Sequence, residues 1–127
     1  MSAKITNVFN NHFLEFVDDI QRVFPDNIDI LTTKNKLIAI KSMNPKILIK
    51  WWKSIVTDQY GSQIEAGDLD FFLNKDYTTD ISAVENSGKI MEAIDRLRQP
   101  IKNMTTDDKS KSIKYIQNLT KLSYMSE

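Results

Sequence analysis

The stretch Asn44-Pro45-Lys46-Ile47-Leu48-Ile49-Lys50-Trp51-Trp52-Lys53-Ser54-Ile55-Val56-Thr57-Asp58-Gln59-Tyr60-Gly61 decides the fold. By β-branching alone, its Ile47–Ile49 run reads as a short strand. Its ends argue for helix. Asn44 is a good N-cap, and Pro45 suits the first helical position, where its missing N–H has no partner to lose. Gly61 can take the left-handed conformation that closes a helix. At about 100° per residue, Leu48, Ile49, Trp52, Ile55 and Val56 share one apolar face, and Lys46, Lys50 and Lys53 form a ridge opposite. Trp52 falls inside the apolar arc and is expected in the core. Trp51 falls at its edge and is expected to be partly exposed.

The same period appears on both sides. Upstream, Ile5, Phe9, Phe13, Phe16, Ile20 and Val23 follow steps of 4, 4, 3, 4 and 3, an amphipathic helix that Pro25 ends. Asp26 or Asp29 then caps a helix running to about Met43, with Ile30, Leu37, Ile38 and Ile40 as its apolar residues. Downstream, a turn around Ile64 is broken by Gly67, and Asp68 caps a short helix through Phe71 and Phe72. Residues 74–86 are polar and read mostly as loop. Asn86 or Ser87 opens a helix bearing Ile90, Ile94 and Leu97. Pro100 should kink it without changing its direction, since Ile101 and Met104 stay in phase. Thr105 or Thr106, followed by Asp107 and Asp108, starts a last helix with Tyr115, Ile116, Leu119 and Leu122 on its buried side. The expected fold is all-α, a single domain over residues 1–127 with five main helices and one short one.

Composition narrows the function classes. The 127 residues are 41% hydrophobic and 27% charged, so an ordinary folded core is expected. There is no cysteine, which removes disulfides, thiolate metal sites and cysteine nucleophiles. Three glycines and three prolines are too few for the turns of a β-sandwich or barrel. No apolar run approaches the roughly 18–20 residues that span a membrane, and Met1 to Thr6 shows no signal core, so neither membrane insertion nor secretion is expected. The net charge of zero hides segregation. Residues 30–57 hold six lysines and no acid, while residues 58–95 hold nine acids and two bases. Separated charge of this kind orients a protein on a partner.

Each candidate for chemistry has a plainer account. His12, the only histidine, has Glu15 one turn on, as a general base oriented by a carboxylate would. Without a second histidine or a cysteine, a boundary histidine bonded to an acid is the favoured account. Asp68, Asp70, Asp76 and Asp80 suggest a hard-cation loop, but hydrophobic residues stand where that loop needs ligands and glycine. No phosphate-cradling loop or nucleophile elbow is present. No catalytic residue, cofactor or metal is therefore assigned, and an enzyme is not expected. The lysine ridge beside Trp51 is the most suggestive group, because lysines one turn apart track phosphates and an indole stacks on bases. Arginine, the usual base reader, is scarce, with three in all. A protein partner for this face is favoured over nucleic acid, since exposed aromatics are favoured at interfaces. Of Phe71 and Phe72, one ring should be well buried and the other partly. The candidate contact residues are thus Lys46, Lys50, Lys53, Trp51 and Phe71.

Three segments carry a resemblance: residues 44–52, residues 67–77, and residues 115–122. They resemble a small uncharacterised, all-helical protein family of the nucleocytoplasmic large DNA (giant) viruses. The Lys-, Asn- and Ile-rich composition is similar to proteins of AT-rich giant-virus genomes. The family brings no activity, cofactor or functional residue. The resemblance implies a viral protein made in the host cytoplasm, either packaged in the virion or acting in assembly. The expected function is a non-enzymatic interaction protein, a virion component or assembly adaptor, whose partners include viral structural proteins. The alternative is a nucleic-acid-binding accessory protein using the lysine face of residues 46–53. A homodimer through exposed aromatics is left open.

Overall fold

The phenylalanine stripe of the first helix is buried as its spacing requires. Helix α1 spans Ala3–Val23, and Phe9, Phe13, Phe16, Val17 and Ile20 are 0–2% exposed. The computed structural model describes residues 3–74 and 87–125. Within them, α2 (Ile28–Met43), α3 (Ile47–Trp51), a π-helix π1 (Trp52–Thr57), α4 (Asp58–Glu65), α5 (Leu69–Asn74), α6 (Ser87–Lys102) and α7 (Thr106–Tyr124) follow in order. The protein is all-α, with no strand among the described residues. Counted as one run, α3, π1 and α4 make five main helices and one short one. Asp76, Asp80, Asn86 and the loop expected around them lie outside the described residues.

Local chemistry sets most of the boundaries. Asp68 caps α5 through a carboxylate bond from the Phe71 N–H at 2.9 Å. Thr105 caps α7, its hydroxyl accepting from the Asp108 N–H at 3.2 Å. The cap of α2 is Asn27, not Asp26 or Asp29: its side-chain oxygen accepts from the Ile30 N–H at 3.2 Å. Asp29 lies in the first turn instead, at the positive end of the helix dipole. Helix α6 runs through Pro100 to Lys102. Proline there removes only one bond close to the C-terminus, where the helix is about to end in any case.

The run from Ile47 to Glu65 departs furthest from its sequence reading. Asn44 is not its N-cap and Pro45 is not its first residue: Asn44 closes α2, its side chain accepts from the Lys46 N–H at 3.1 Å across a turn, and α3 starts after Lys46 with no side-chain cap. The expected uninterrupted helix to Tyr60 is not formed. From Trp52 the turn widens, and the Asp58 N–H donates to the Lys53 carbonyl, five residues back. Tyr60 leaves helical geometry at φ −132°, ψ 15°. Gly61 does not end the run. It is buried, and the Tyr124 hydroxyl lies 2.5 Å from where a β-carbon would stand, so glycine serves close approach to α7. The terminator is Gly67, at φ 82°. The Asp68 N–H reaches the Gln63 carbonyl at 3.1 Å and the Gly67 N–H reaches Ile64 at 2.9 Å, the paired bonds of a Schellman end. Gln117 of α7 adds a side-chain N–H to the Ile64 carbonyl at 3.1 Å.

This run is also the centre of the core. Helix α3 contacts α1, α2 and α6, and π1 contacts α7 and α4. Both tryptophans are consequently buried, Trp51 to 1% exposure and Trp52 to 0%. The expectation that Trp51 sits at a surface edge is corrected. A helical wheel assumes one covered side, whereas α3 is covered from three directions. Around Trp52, Phe13 packs edge-on at 5.8 Å, Phe9 edge-on at 6.2 Å, and Phe72 stacks at 5.9 Å between ring centroids. The indole N–H donates to the Thr120 hydroxyl at 3.0 Å, and that hydroxyl donates to the Ile116 carbonyl at 2.9 Å. One turn on, the Thr57 and Ser123 hydroxyls meet at 2.5 Å, and Ser123 donates to the Thr120 carbonyl at 2.7 Å.

Trp51→Ala and Trp52→Ala should each lower stability by about 3–5 kcal/mol in urea melts, since both delete a buried aromatic. Thr120→Val should cost about 1–3 kcal/mol by stranding the indole N–H without an acceptor. A Trp51→Ala loss under about 1 kcal/mol would contradict the central position of α3.

Candidate functional site

The lysine ridge survives only in part. Lys46 and Lys50 are exposed, while Lys53 is half-buried with its ammonium 3.9 Å from the Asp58 carboxylate. The ring meant to complete the ridge, Trp51, faces the core. Phe71 is half-buried and lies 5.2 Å from the Tyr60 ring, and its neighbour Phe72 is buried against Trp52. One ring deep and one ring partial is the division their adjacency implied. Lys46, Lys50 and Lys53 thus stay on one run of chain, while Phe71 pairs with an aromatic of α4.

His12 occupies a cleft of about 340 Å³ between α1 and α7, beside Glu15, Asp19, Lys111, Lys114 and Asn118. Its Nδ1 lies 3.8 Å from the Glu15 carboxylate, and its ring is 4.9 Å from Tyr115. Its Nε2 is buried with no hydrogen-bond partner among the described residues. With that nitrogen buried and the other beside Glu15, the ring is packed against Tyr115 at one edge of the cleft. Tyr115 stacks on Phe16 at 5.5 Å. Burial, and then the Asp19 and Glu15 carboxylates, push its phenol above the ordinary value of 10.0. Among the described residues, no cluster of three potential metal ligands occurs, and no helix is long and apolar enough to cross a membrane.

A third site was not singled out from the sequence. Helix α2 buries Ile30, Leu37 and Ile40, yet Ile28 is 76% exposed, Leu31 45% and Met43 73%. The exposed three, with Ala39, fall within about 120° of arc on the side away from the core. Beside Ala39 and Met43, towards the C-terminal end of α2, a groove of about 360 Å³ opens between α2 and α6. Lys36, Ala39, Ile40 and Met43 line it from α2, and Lys89, Glu92, Ala93 and Arg96 from α6. Alanines on both helices leave the space that larger side chains would fill. Arg96 bonds Glu92 at 2.9 Å and reaches Asp29 at 3.9 Å. The sequence signal was available: the apolar residues of α2 are not confined to one side of the helix, so some of them must lie outside a one-sided core face. No protein-family model, curated protein or solved structure matches this chain, so the site rests on its own geometry.

The Tyr115 environment has a consequence at high pH. Above the ordinary value of 10.0 the unfolded chain releases this proton while the folded chain holds it, so stability should fall as pH rises from there through the raised value. Tyrosinate absorbance should show a late-titrating component, and Tyr115→Phe should remove both that component and its share of the decline.

Proposed function

We propose that this chain is a non-catalytic helical interaction module that binds protein partners through the outer face of α2. The observation that carries this reading is the row of Ile28, Leu31 and Met43, held in solvent along one helix whose other side is core. Single exposed hydrophobics are ordinary, but three on one side of a helix, the last of them at the rim of a groove, make a surface of the kind that partners cover. In the setting that the giant-virus resemblance implies, the module works in the host cytoplasm, as a virion component or an assembly adaptor among viral structural proteins.

The nucleic-acid alternative keeps its charge and loses its stacking ring. Lys46 and Lys50 can meet phosphate, but Trp51 is unavailable to a base and Lys53 already faces an acid.

A photo-cross-linking amino acid at position 31 or 43 should yield discrete protein adducts in cells that express the chain, and these should survive nuclease. The same group at exposed Asn118 of α7 should yield none of them. Adducts equal at all three positions, or absent from 31 and 43, would remove the reading. The unmodified protein should bind DNA and RNA more weakly than about micromolar at about 150 mM salt. Tighter binding that is lost when Lys46, Lys50 and Lys53 are all replaced by Gln would establish the alternative instead.

A further inference from the structure

We propose that the groove between α2 and α6 is a receptor for an acidic amphipathic helix of a partner protein. This rests on the protein-binding reading above and specifies the chemistry of the partner. Both walls of the groove repeat at helical spacing: Lys36, Ile40 and Met43 on α2, and Lys89, Ala93 and Arg96 on α6. Seven residues of helix cover about 10 Å, enough for two turns of a bound helix and apolar anchors at i and i+4. The floor is recessed and apolar, with Ile40 at 8% exposure and Ala93 at 3%, while Met43 stands exposed at the rim.

Charge selects the occupant. Arg96 reaches Asp29 in the first turn of α2, yet the groove extends to Met43 in the last. The two helices therefore run antiparallel, with Arg96 towards the Asp29 end and Lys89 towards the Met43 end. Glu92 is committed to Arg96. Lys36 and Lys89 are exposed and have no carboxylate partner among the described residues. A ligand that fills the floor and brings carboxylates to these lysines gains both contributions. Groove-to-groove pairing of two copies does not fit, because it would set Lys36, Lys89 and Arg96 against the same cations. Nucleic acid would satisfy the lysines but would find an alanine, isoleucine and methionine floor without donors or a stacking ring. A membrane surface offers nothing to enter a recess between two helices.

The test is selection from a displayed library of random helical peptides of balanced charge, with the intact protein as bait. The enriched peptides should be acidic, with apolar residues three or four apart. The leading peptide should lose at least about tenfold in affinity against the Lys36→Glu, Lys89→Glu double variant, because its carboxylates then meet like charge. It should lose as much against Ala39→Leu, which fills the groove from an exposed position. Far-UV circular dichroism and thermal melts of the variants should match the unmodified protein, since Lys, Glu and Leu are all good helix formers. Enriched peptides that are neutral or basic, or binding indifferent to both variants, would overturn the proposal. So would sedimentation with phosphatidylserine vesicles, or a homodimer, if either is abolished by the lysine double variant. Discrete adducts from positions 31 and 43 alongside a failed selection would leave the broader protein-binding reading standing and sink the acidic-helix receptor. Loss of the adducts as well would remove both.

Discussion

Trp52 is held from three directions at once. Phe9 and Phe13 of α1 meet its indole edge-on, Phe72 of α5 stacks on it, and Thr120 of α7 takes its N–H. Aromatic contacts of this geometry add about 0.5–1.5 kcal/mol each beyond the apolar area they bury. The hydrogen bond matters more for what its absence would do, since a buried N–H without an acceptor costs about 1–3 kcal/mol. Helices distant in sequence are thereby fixed against one side chain. The widened turn of π1 begins at this residue, and the next hydroxyl pair, Thr57 with Ser123, ties the same two elements one turn on. Along π1 the widened turn leaves both the Trp52 ring and the Thr57 hydroxyl facing partners on α7.

A central run has consequences at the surface. Because α3 and π1 are covered on most sides, their lysines are left with little exposed apolar ground around them. Exposed large hydrophobics occur at Val8 of α1 and at Tyr124 and Met125 at the end of α7, but three of them, Ile28, Leu31 and Met43, share one side of α2, a helix whose opposite side packs on the core. The groove beside it follows from small residues, since Ala39 and Ala93 keep the two backbones' side chains from closing the gap. Charge then distinguishes this groove from a patch of incidental hydrophobics, because its two lysines have no carboxylate partner among the described residues and its single lining acid is already paired.

Much of the fold was legible in the residues. The α1 stripe, the Asp68 and Thr105 caps and the Gly67 stop each depend on interactions within a few positions of chain, and such interactions are written locally. The misreadings were of another kind. Gly61 looked like a helix end because glycine favours one, yet it is needed for the approach of Tyr124, sixty-three positions away. Trp51 looked peripheral because a wheel measures one covered face. The outer face of α2 is hard to see in the sequence because Ile28, Leu31 and Met43 are interleaved with the core residues Ile30, Leu37 and Ile40 along one helix.

What the sequence determined by itself was the all-α class, the principal helices, the caps of α5 and α7 and the segregation of charge. Each follows from the period of apolar residues and from side chains bonding the nearby backbone, and neither needs knowledge of what packs where. Tertiary structure alone decided which helix became central, where the helical turn widened, that both tryptophans were buried, and which apolar residues stayed in water. Those outcomes depend on how many neighbours cover a given face, and burial is a property of the whole packed assembly of helices that no window of sequence contains.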